Sequence, residues 1–406
     1  MLISALPLTL LPNLHKLVWK DSRDAFLPLL HALLAPTINS MVLGPYWIPS
    51  FTKSTLLVSL GARCPHIQEF TCRYDSDSDE QSNALLEAVR CWSELTHFDA
   101  GVLDSRTLAY LASLPLLRSL RFVSGLFVDG TQPKSIPTFT SKVDNVSITA
   151  SSLPVLTQCL RNARFVFCRS VALHVINIDR DPLVVRNFIL SFSECFPSVL
   201  AQFTVDFDDP GTLSAAESAD PHFALGFDAI APLLLFSHLT VVDLDWICSS
   251  AIDDAMVQKM AQSWPQLERF HLGAGACWLI PPSLTFIGLI HLIRHCRYLQ
   301  SISMAFRASR INGNSELFSE TVPNEKITII FAGGSPIEDA MSVACQLHTL
   351  LPKLEAVHCF TGEEIQPRSP FEQEWGRVTE YLKVLIEGAR MKQEQAHAQR
   401  ACSLLA

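Results

Sequence analysis

No run of about 18 apolar residues passes without a polar break, so a membrane-crossing helix is not expected. The opening MLISALPLTLL is apolar, yet it has no cationic start and no small-residue cleavage site, and a secretory signal is not expected either. Charge is scarce, at 17% of the 406 residues, and its balance is −9. That leaves no basic field to displace counterions from a phosphate backbone, which argues against nucleic-acid and anionic-membrane partners. The twelve cysteines stand singly, with no CxxC pair among them. A dense disulfide framework is thereby excluded, and reduced, mostly buried thiols of a cytoplasmic or nuclear protein are expected instead.

Catalytic signatures are missing as well. There is no GxSxG, and no nucleophile, base and orienter come together visibly in the sequence. AGGSP at 332–336 lacks the Lys-Ser/Thr ending of a P-loop and the spacing of a dinucleotide fingerprint, so it reads as a helix-entry turn. HLIRHC sets His291 and His295 one helical turn apart, a spacing able to chelate zinc, but no HExxH glutamate accompanies it and a packed pair is expected. The sequon NVS at Asn145 has no use in a reducing compartment.

What the chain does have is apolar residues, 49% of the total, and 24 Pro against 16 Gly, the composition of a core-rich fold. A chain of this length usually splits into two or three domains, unless repetition lets one extended core grow. Repetition is present. WPQLERFHL (264–272), LPNLHKLVW, LPLLRSLRF and LPKLEAVHC are versions of one phrase, L-x-x-L-x-L. Its offsets fit thirteen starts: Leu14, Ile38, Ile67, Leu95, Leu117, Val143, Cys168, Leu200, Leu239, Leu267, Leu299, Ile327 and Leu354. These span 340 residues over twelve intervals, a mean near 28, within the leucine-rich-repeat range. Pro12, Pro65, Pro115, Pro265 and Pro352 fall two residues before a start and Pro197 three, where a fixed φ turns the chain from helix into strand.

Helical patterns lie between the starts. In DSRDAFLPLLHALLAP, Phe26, Leu29, Leu30, Leu33 and Leu34 share a face. In SPIEDAMSVACQLHTLL, Ser335 reads as N-cap, Pro336 as first helical residue and Glu338 as the capping-box partner, with Ile337, Met341, Ala344, Leu347 and Leu351 inward. Further helices are expected at 82–92, 105–114, 151–162, 181–195, 253–264 and 282–296. The polar stretches 208–223, 307–325, 130–142 and 75–80 read as inserted loops. Strands need about 4.8 Å of spacing and helices about 10 Å, so the expected fold is an α/β solenoid bent into a horseshoe, strands inside and helices outside. It should occupy residues 1–365. A capping helix is expected over 366–390, with Ser369, Pro370 and Glu372 at its start and Phe371, Trp375, Val378, Leu382 and Leu385 on one side, then a polar tail over 391–406.

On the phrases WPQLERFHL, CRYLQSISM and LPKLEAVHC, residues 14–360 resemble the leucine-rich-repeat region of fungal F-box proteins, the substrate receptors of cullin-type ubiquitin ligases. The resemblance implies a protein target and, if an F-box lies upstream, a Skp-type adaptor. The sequence departs from the family pattern at the eighth offset of each repeat, occupied here by Ser22, Asp75, Gly125, Asp208 and Gly275 rather than a regular Asn or Cys ladder. No F-box is visible before residue 14, so adaptor binding is carried onto no residue.

Between the leucines, alternate side chains face the concave side. They include Glu69, Thr71, Arg73, His97, Asp99, Arg121, Asp206, Asp243, Asp245, Arg269, His271 and His358. A wall this polar suits protein recognition, with charges setting specificity while leucines hold the frame. Asp206, Asp243, Asp245 and His271 are also the residue types that hold a hard cation, but Arg269 stands beside them and no metal or cofactor is expected. The expectation is a non-enzymatic scaffold binding protein through its concave face and loops. A free-standing inhibitor, or a GTPase activator working through Arg73, Arg121 or Arg269, uses the same face and stays open.

Overall fold

The structure is a computed structural model of the whole chain, and it describes every residue except 1–9, 22, 45–50, 74–78, 125–135, 210–213, 276–277, 311–315, 360–370 and 406. Thirteen strands lie parallel and in chain order, and the order does not close into a barrel. Each of the thirteen begins two residues after a start read from the sequence, including the copies at Val143, Cys168 and Ile327 that hold the phrase least well. The turn before the strand explains this. The amides of Leu14, Leu267 and Leu354 donate to the carbonyl three residues earlier, closing a turn whose second position is Pro12, Pro265 or Pro352. Proline supplies the φ that position needs and loses no ladder donor there.

The chain divides into two compact units. The first comprises residues 1–177, 190–200 and 206–208. It holds β1 (Lys16–Trp19), β2 (Ser40–Leu43), β3 (Glu69–Cys72), β4 (His97–Leu103), β5 (Ser119–Ser124), β6 (Thr138–Phe139), β7 (Asn145–Ser152), β8 (Arg164–Phe165) and β9 (Ser170–Asn177). Here β6 and β8 pair apart as a two-stranded sheet. The second unit comprises 178–189, 201–205 and 209–406. Its strands are β10 (Gln202–Asp209, of which 206–208 count with the first unit), β11 (Val241–Leu244), β12 (Arg269–Leu272), β13 (Ser301–Met304), β14 (Ile329–Phe331) and β15 (Ala356–His358).

Within each unit the strands bury alternate residues, as in Arg269–Leu272, where Phe270 and Leu272 are buried and Arg269 and His271 are not. The buried side meets the helices: Phe70 of β3 lies 4.7 Å from Trp92, and Phe270 of β12 lies 6.4 Å from Trp264. Twelve of the thirteen start residues are wholly buried, each worth roughly 1.5–3 kcal/mol if apolar and large. The coils are stitched by backbone rather than by an eighth-offset side-chain ladder. The carbonyl one residue past the start accepts two successive N–H groups from the next coil, as Gln68 does from Thr96 and His97 (2.8 and 3.0 Å) and Glu268 from Gln300 and Ser301 (2.7 and 3.2 Å). Nine carbonyls do this: His15, Asn39, Gln68, Thr96, Asp144, Ala201, Thr240, Glu268 and Thr328.

The expected helices are present as Asp79–Val89, Ser105–Ala112, Leu153–Arg161, Pro182–Cys195, Asp254–Ser263 and Phe286–His295, joined by Phe51–Arg63, which the sequence reading passed over. Several faces and caps need correcting. In Leu27–Leu33 the buried residues are Leu27 and Leu30, while Phe26 and Leu29 are exposed; Asp24–Phe26 forms a separate 3-10 turn, so Phe26 does not share the phase of the α-helix that follows. Ser335 caps no helix. It is buried, accepts from Phe306 N (2.9 Å) and donates to the Ala332 carbonyl, bracing the AGGSP turn; Asp339 caps Ala340–Leu350 instead, accepting from Met341 N. That helix turns Val343, Ala344, Leu347 and Leu350 inward and leaves Met341 exposed. Gly333 in the turn has φ 54°, and a Cβ there would lie 2.9 Å from the Ala274 backbone.

Three stretches read as loops are partly built in; in 307–325, Ala308 is wholly buried, its amide donating to Pro336 O, and Glu316–Ser319 is a helical turn. Phe139, within 130–142, is buried in a stack with Phe165 (4.5 Å), which in turn stacks on Phe196 (5.1 Å). Within 208–223, Ser214 and Glu217 form a capping box on Ala215–Ser218, and Phe223 meets Trp278 at 5.8 Å. The closing helix is Glu372–Leu405; Ser369 and Pro370 lie outside the described residues. It continues through the segment expected as a tail, because Ala, Gln, Glu and Arg favour helix and Arg390 pairs with Glu387 and Glu394 at 2.6 Å, one turn either way.

This helix covers β15. Thr379 Oγ accepts from Val357 N (3.1 Å) and donates to Val357 O (3.3 Å), satisfying both edge groups. Trp375 is wholly buried, donates to Ser335 O (2.9 Å) and meets Phe306 edge-on at 5.9 Å. Trp375→Ala is expected to lower the unfolding free energy by about 3–5 kcal/mol in urea titration, and Trp375→Phe by less; a loss below about 1 kcal/mol for the alanine variant would remove the cap from the core. Gly61 is the close-approach point of Phe51–Arg63 on Asp79–Val89: a methyl there would lie 2.9 Å from Ala88 Cα and 3.0 Å from its carbonyl oxygen. Gly61→Ala is expected to lower the melting temperature, because overpacking of about 1–3 kcal/mol outweighs the helix-propensity gain of about 1 kcal/mol.

Candidate functional site

The side of each strand turned away from the helices carries the residues picked out from the sequence. In the first unit they align in two rows across neighbouring strands. One row pairs Glu69, His97, Ser119, Asn145 and Ser170; the other pairs Thr71, Asp99, Arg121, Ser147 and Ala172. Together they line a depression of about 530 Å³. Its composition is uneven. Towards β3 and β4 it is charged, while towards β7 and β9 Ser147, Ser170 and Ala172 are short and leave the room.

The charged end is ordered by pairing. Arg73 grips Asp99 with its fork, Nε to Oδ1 and Oδ2 at 3.0 and 3.1 Å and Nη2 to Oδ2 at 2.6 Å, and these bonds raise the arginine pKa. Arg121 Nη1 comes only to 3.9 Å of the same carboxylate and is half exposed. Glu69 accepts from Ser40 Oγ (2.9 Å), and His97 Nδ1 meets Thr96 Oγ at 2.8 Å. Asp206 lies apart from this end, beside His174, whose Nε2 is bonded to Asp208 at 2.8 Å while Asp206 stands 3.8 Å from Nδ1. The sequence reading did not include His174 or Asp208, although both occupy outward positions past the end of the phrase.

In the second unit Asp243, His271 and Ser301, from β11, β12 and β13, form one hydrogen-bonded chain. Asp243 Oδ2 is 3.2 Å from His271 Nδ1, and His271 Nε2 is 3.0 Å from Ser301 Oγ. Sequence inspection found no such assembly, since the three lie about one repeat apart; Asp243 and His271 share the fourth offset from their starts, but Ser301 stands at the second, in register with Arg269. The order of groups is that of an acyl-transfer relay, but the amides beside the serine are already engaged. An oxyanion needs free donors, and the amides of Gln300 and Ser301 both donate to the Glu268 carbonyl. The chain is therefore a fixed polar strut. Burial works against a charged His271, but the hydrogen bond and charge of Asp243, with Asp245 behind it, outweigh that and raise its pKa.

Asp245 is held by Ala274 N (2.9 Å) and by Ser303 Oγ on both carboxylate oxygens (2.8 and 2.9 Å); burial raises its pKa, against those bonds. Arg269 is exposed in register with Ser301, and His358 stacks on Phe331 at 5.5 Å between ring centres. The cation reading places Asp243 and Asp245 in the same neighbourhood, but each is committed to its own bonds. Among the described residues no three His, Cys, Asp or Glu converge as a metal-ligating group. His291 and His295 stack with ring centres 6.3 Å apart, and burial lowers both pKa values. Of the ten cysteines described, eight are buried, and burial pushes Cys168 and Cys296 to about 12, far from a reactive thiolate.

Among the described residues no helix is long and apolar enough to cross a membrane. No protein-family model matches the chain, and no curated protein matches it.

The polar strut predicts a pH dependence of known sign. Because the His271 pKa is raised above its ordinary 6.5, the interaction stabilises the fold fully below that value and fades as pH rises through the folded pKa. Asp243→Asn should therefore cost most stability near pH 5.5 and least near pH 9, read from urea titrations at both; an equal cost at the two pH values would contradict a charged His271.

Proposed function

We propose that this chain is a protein-binding scaffold whose working surface is the open strand face, above all the depression in the first unit. The observation that carries the reading is a roughly 530 Å³ hollow floored by five adjacent strands, with charged groups at one end and short hydroxyl and methyl side chains at the other. A hollow of this size in a regular sheet face reflects the choice of small residues at Ser147, Ser170 and Ala172, because any long side chain at those outward positions would fill it. Rigid strands also hold its donors and acceptors at fixed spacing, which lowers the ordering cost of binding.

The activator reading loses one of its arginines, since Arg73 is committed to Asp99. Delivery of the bound protein to a ubiquitin ligase, which the family resemblance implies, is a further part of the proposal; capture of a Skp-type adaptor by the full-length gene product supports it, and absence of adaptor in that complex removes it.

The test of binding is affinity capture from the native cell with the wild-type chain, with Ser147→Phe, which fills the hollow, and with Leu183→Glu on the exposed side of Pro182–Cys195. A specific protein retained by wild type and by Leu183→Glu but at least about tenfold depleted on Ser147→Phe is the expected outcome, as for loss of a central contact. Prey indifferent to Ser147→Phe would move the working surface elsewhere.

A further inference from the structure

We infer that the depression in the first unit recognises an acidic side chain, Asp or Glu, within an extended segment of a protein partner, with Arg121 as the residue that reads the carboxylate. The inference rests on the reading that this face binds protein, and adds the chemistry of what it binds. Its starting point is an imbalance. Asp99 lies near two guanidinium groups but is saturated by one: Arg73 makes all three short bonds to it, and Arg121 stays at 3.9 Å. The Arg73–Asp99 pair is neutral as a unit, so Arg121 keeps its charge and its hydrogen-bonding edge at the wall of the hollow.

The other walls accord with that charge. In the row of Arg121 the next strand carries Ser147, and in the neighbouring row stand Ser119 and Asn145. These are neutral donors that can share a carboxylate oxygen with the guanidinium. The remaining carboxylate on this wall, Glu69, accepts from Ser40 two strands away from Arg121, and at the rim Asp144 stands 3.8 Å from Arg118. A chain whose formal balance is −9 thus presents, in its polar hollow, a guanidinium whose ion pair to Asp99 is long, at 3.9 Å, and whose partner is already held by Arg73.

Charge number and length select the ligand further. A dianionic phosphate would need a second cation for its second charge, whereas a monoanionic carboxylate matches a single planar fork. The hollow crosses five strands at about 4.8 Å each, roughly 19 Å, which accommodates about six residues of extended peptide. An acidic side chain inside such a segment puts its carboxylate at Arg121 while the rest of the segment lies over Ser147, Ser170 and Ala172.

The experiment selects a displayed library of random linear peptides on the whole chain, then measures the selected peptides by fluorescence anisotropy against wild type, Arg121→Gln, Arg121→Lys and Ser147→Phe. The expected result is a shared Asp or Glu whose replacement by Asn or Gln weakens binding about tenfold or more. Arg121→Gln should cause the same loss with no further loss on combining the two changes, and Arg121→Lys a smaller one. Peptides blocked by Ser147→Phe but carrying no common acidic residue and indifferent to Arg121→Gln would overturn the carboxylate reading while leaving a protein-binding hollow. Peptides indifferent to Ser147→Phe, or no selected peptide at all, would overturn both. A thermal melt within a few degrees of wild type for each variant keeps misfolding from counting as an outcome. Selected peptides that bind tighter when phosphoserine replaces the acidic residue would overturn the preference for a single negative charge.

Discussion

The stitch between coils is the constraint on which the rest depends. Among the described residues, the carbonyl just past nine of the thirteen starts accepts two N–H groups from the following coil, and twelve of the start residues are buried. A single coil can satisfy neither demand: its leucine edge stays wet and its carbonyl unpaired unless a neighbour lies alongside. Because the stitch is backbone to backbone, it makes no demand on the side chains at the same positions. Those facing the helices must be apolar to hide the coil edge; those facing away are constrained only by their lateral neighbours.

That separation accounts for how unlike one another the outward residues are. His15, Asn39, Gln68, Thr96, Asp144, Ala201, Thr240, Glu268 and Thr328 all hold the same structural post with side chains of every kind. The leucine-rich consensus places an Asn or Cys ladder at the eighth offset; among the described residues Ser335 at that offset accepts from Phe306 N of the preceding coil, while the carbonyl stitch recurs without any side chain. Some buried and half-buried polar groups are satisfied one at a time instead. Asn324 donates to Leu299 O and accepts from Lys326 N and Ile327 N, and Asp254 accepts from Thr285 and Gly288 at the start of the next helix. Such contacts tolerate irregular spacing between repeats, as a uniform ladder does not.

This also decides what the sequence could reveal. The strand starts were legible down to the residue because a hidden leucine row and a proline-bearing turn are periodic and local. The helix faces were less so: Phe26 and Leu29 fit the apolar stripe as well as Leu27 and Leu30, and the 3-10 turn Asp24–Phe26 ahead of the helix leaves no mark in the apolar spacing. Ser335 has every local mark of a cap and is instead consumed by Phe306, 29 residues away. The outward residues were found by alternation, but their bonds were not, since Arg73 to Asp99 or His271 to Ser301 depends on which coils are neighbours and how far a side chain leans. Once the starts are fixed, equal offsets name the lateral neighbours, such as Thr71 and Arg121 for Asp99; that Arg73, two positions further along, takes the carboxylate instead is a matter of side-chain direction and lies beyond sequence.

The difference between the two polar clusters follows from saturation. In the second unit Asp243, His271 and Ser301 close on one another, and Asp245 closes on Ser303 and Ala274, so a ligand would have to break internal bonds to gain external ones. Exchange of that sort returns little net free energy, because the bond lost in the free protein offsets the bond made in the complex. In the first unit the internal bonding stops one group short. Two guanidinium groups stand near one carboxylate, a single fork fits it, and the second is left beside short hydroxyls with open volume in front. The acidic partner proposed above would gain its bonds there without breaking a short internal one, on strands that already set the geometry. Recognition on such a surface therefore concentrates where the frame's own pairing is incomplete, and a count of charges along the face is a poorer guide than the charge left over after pairing.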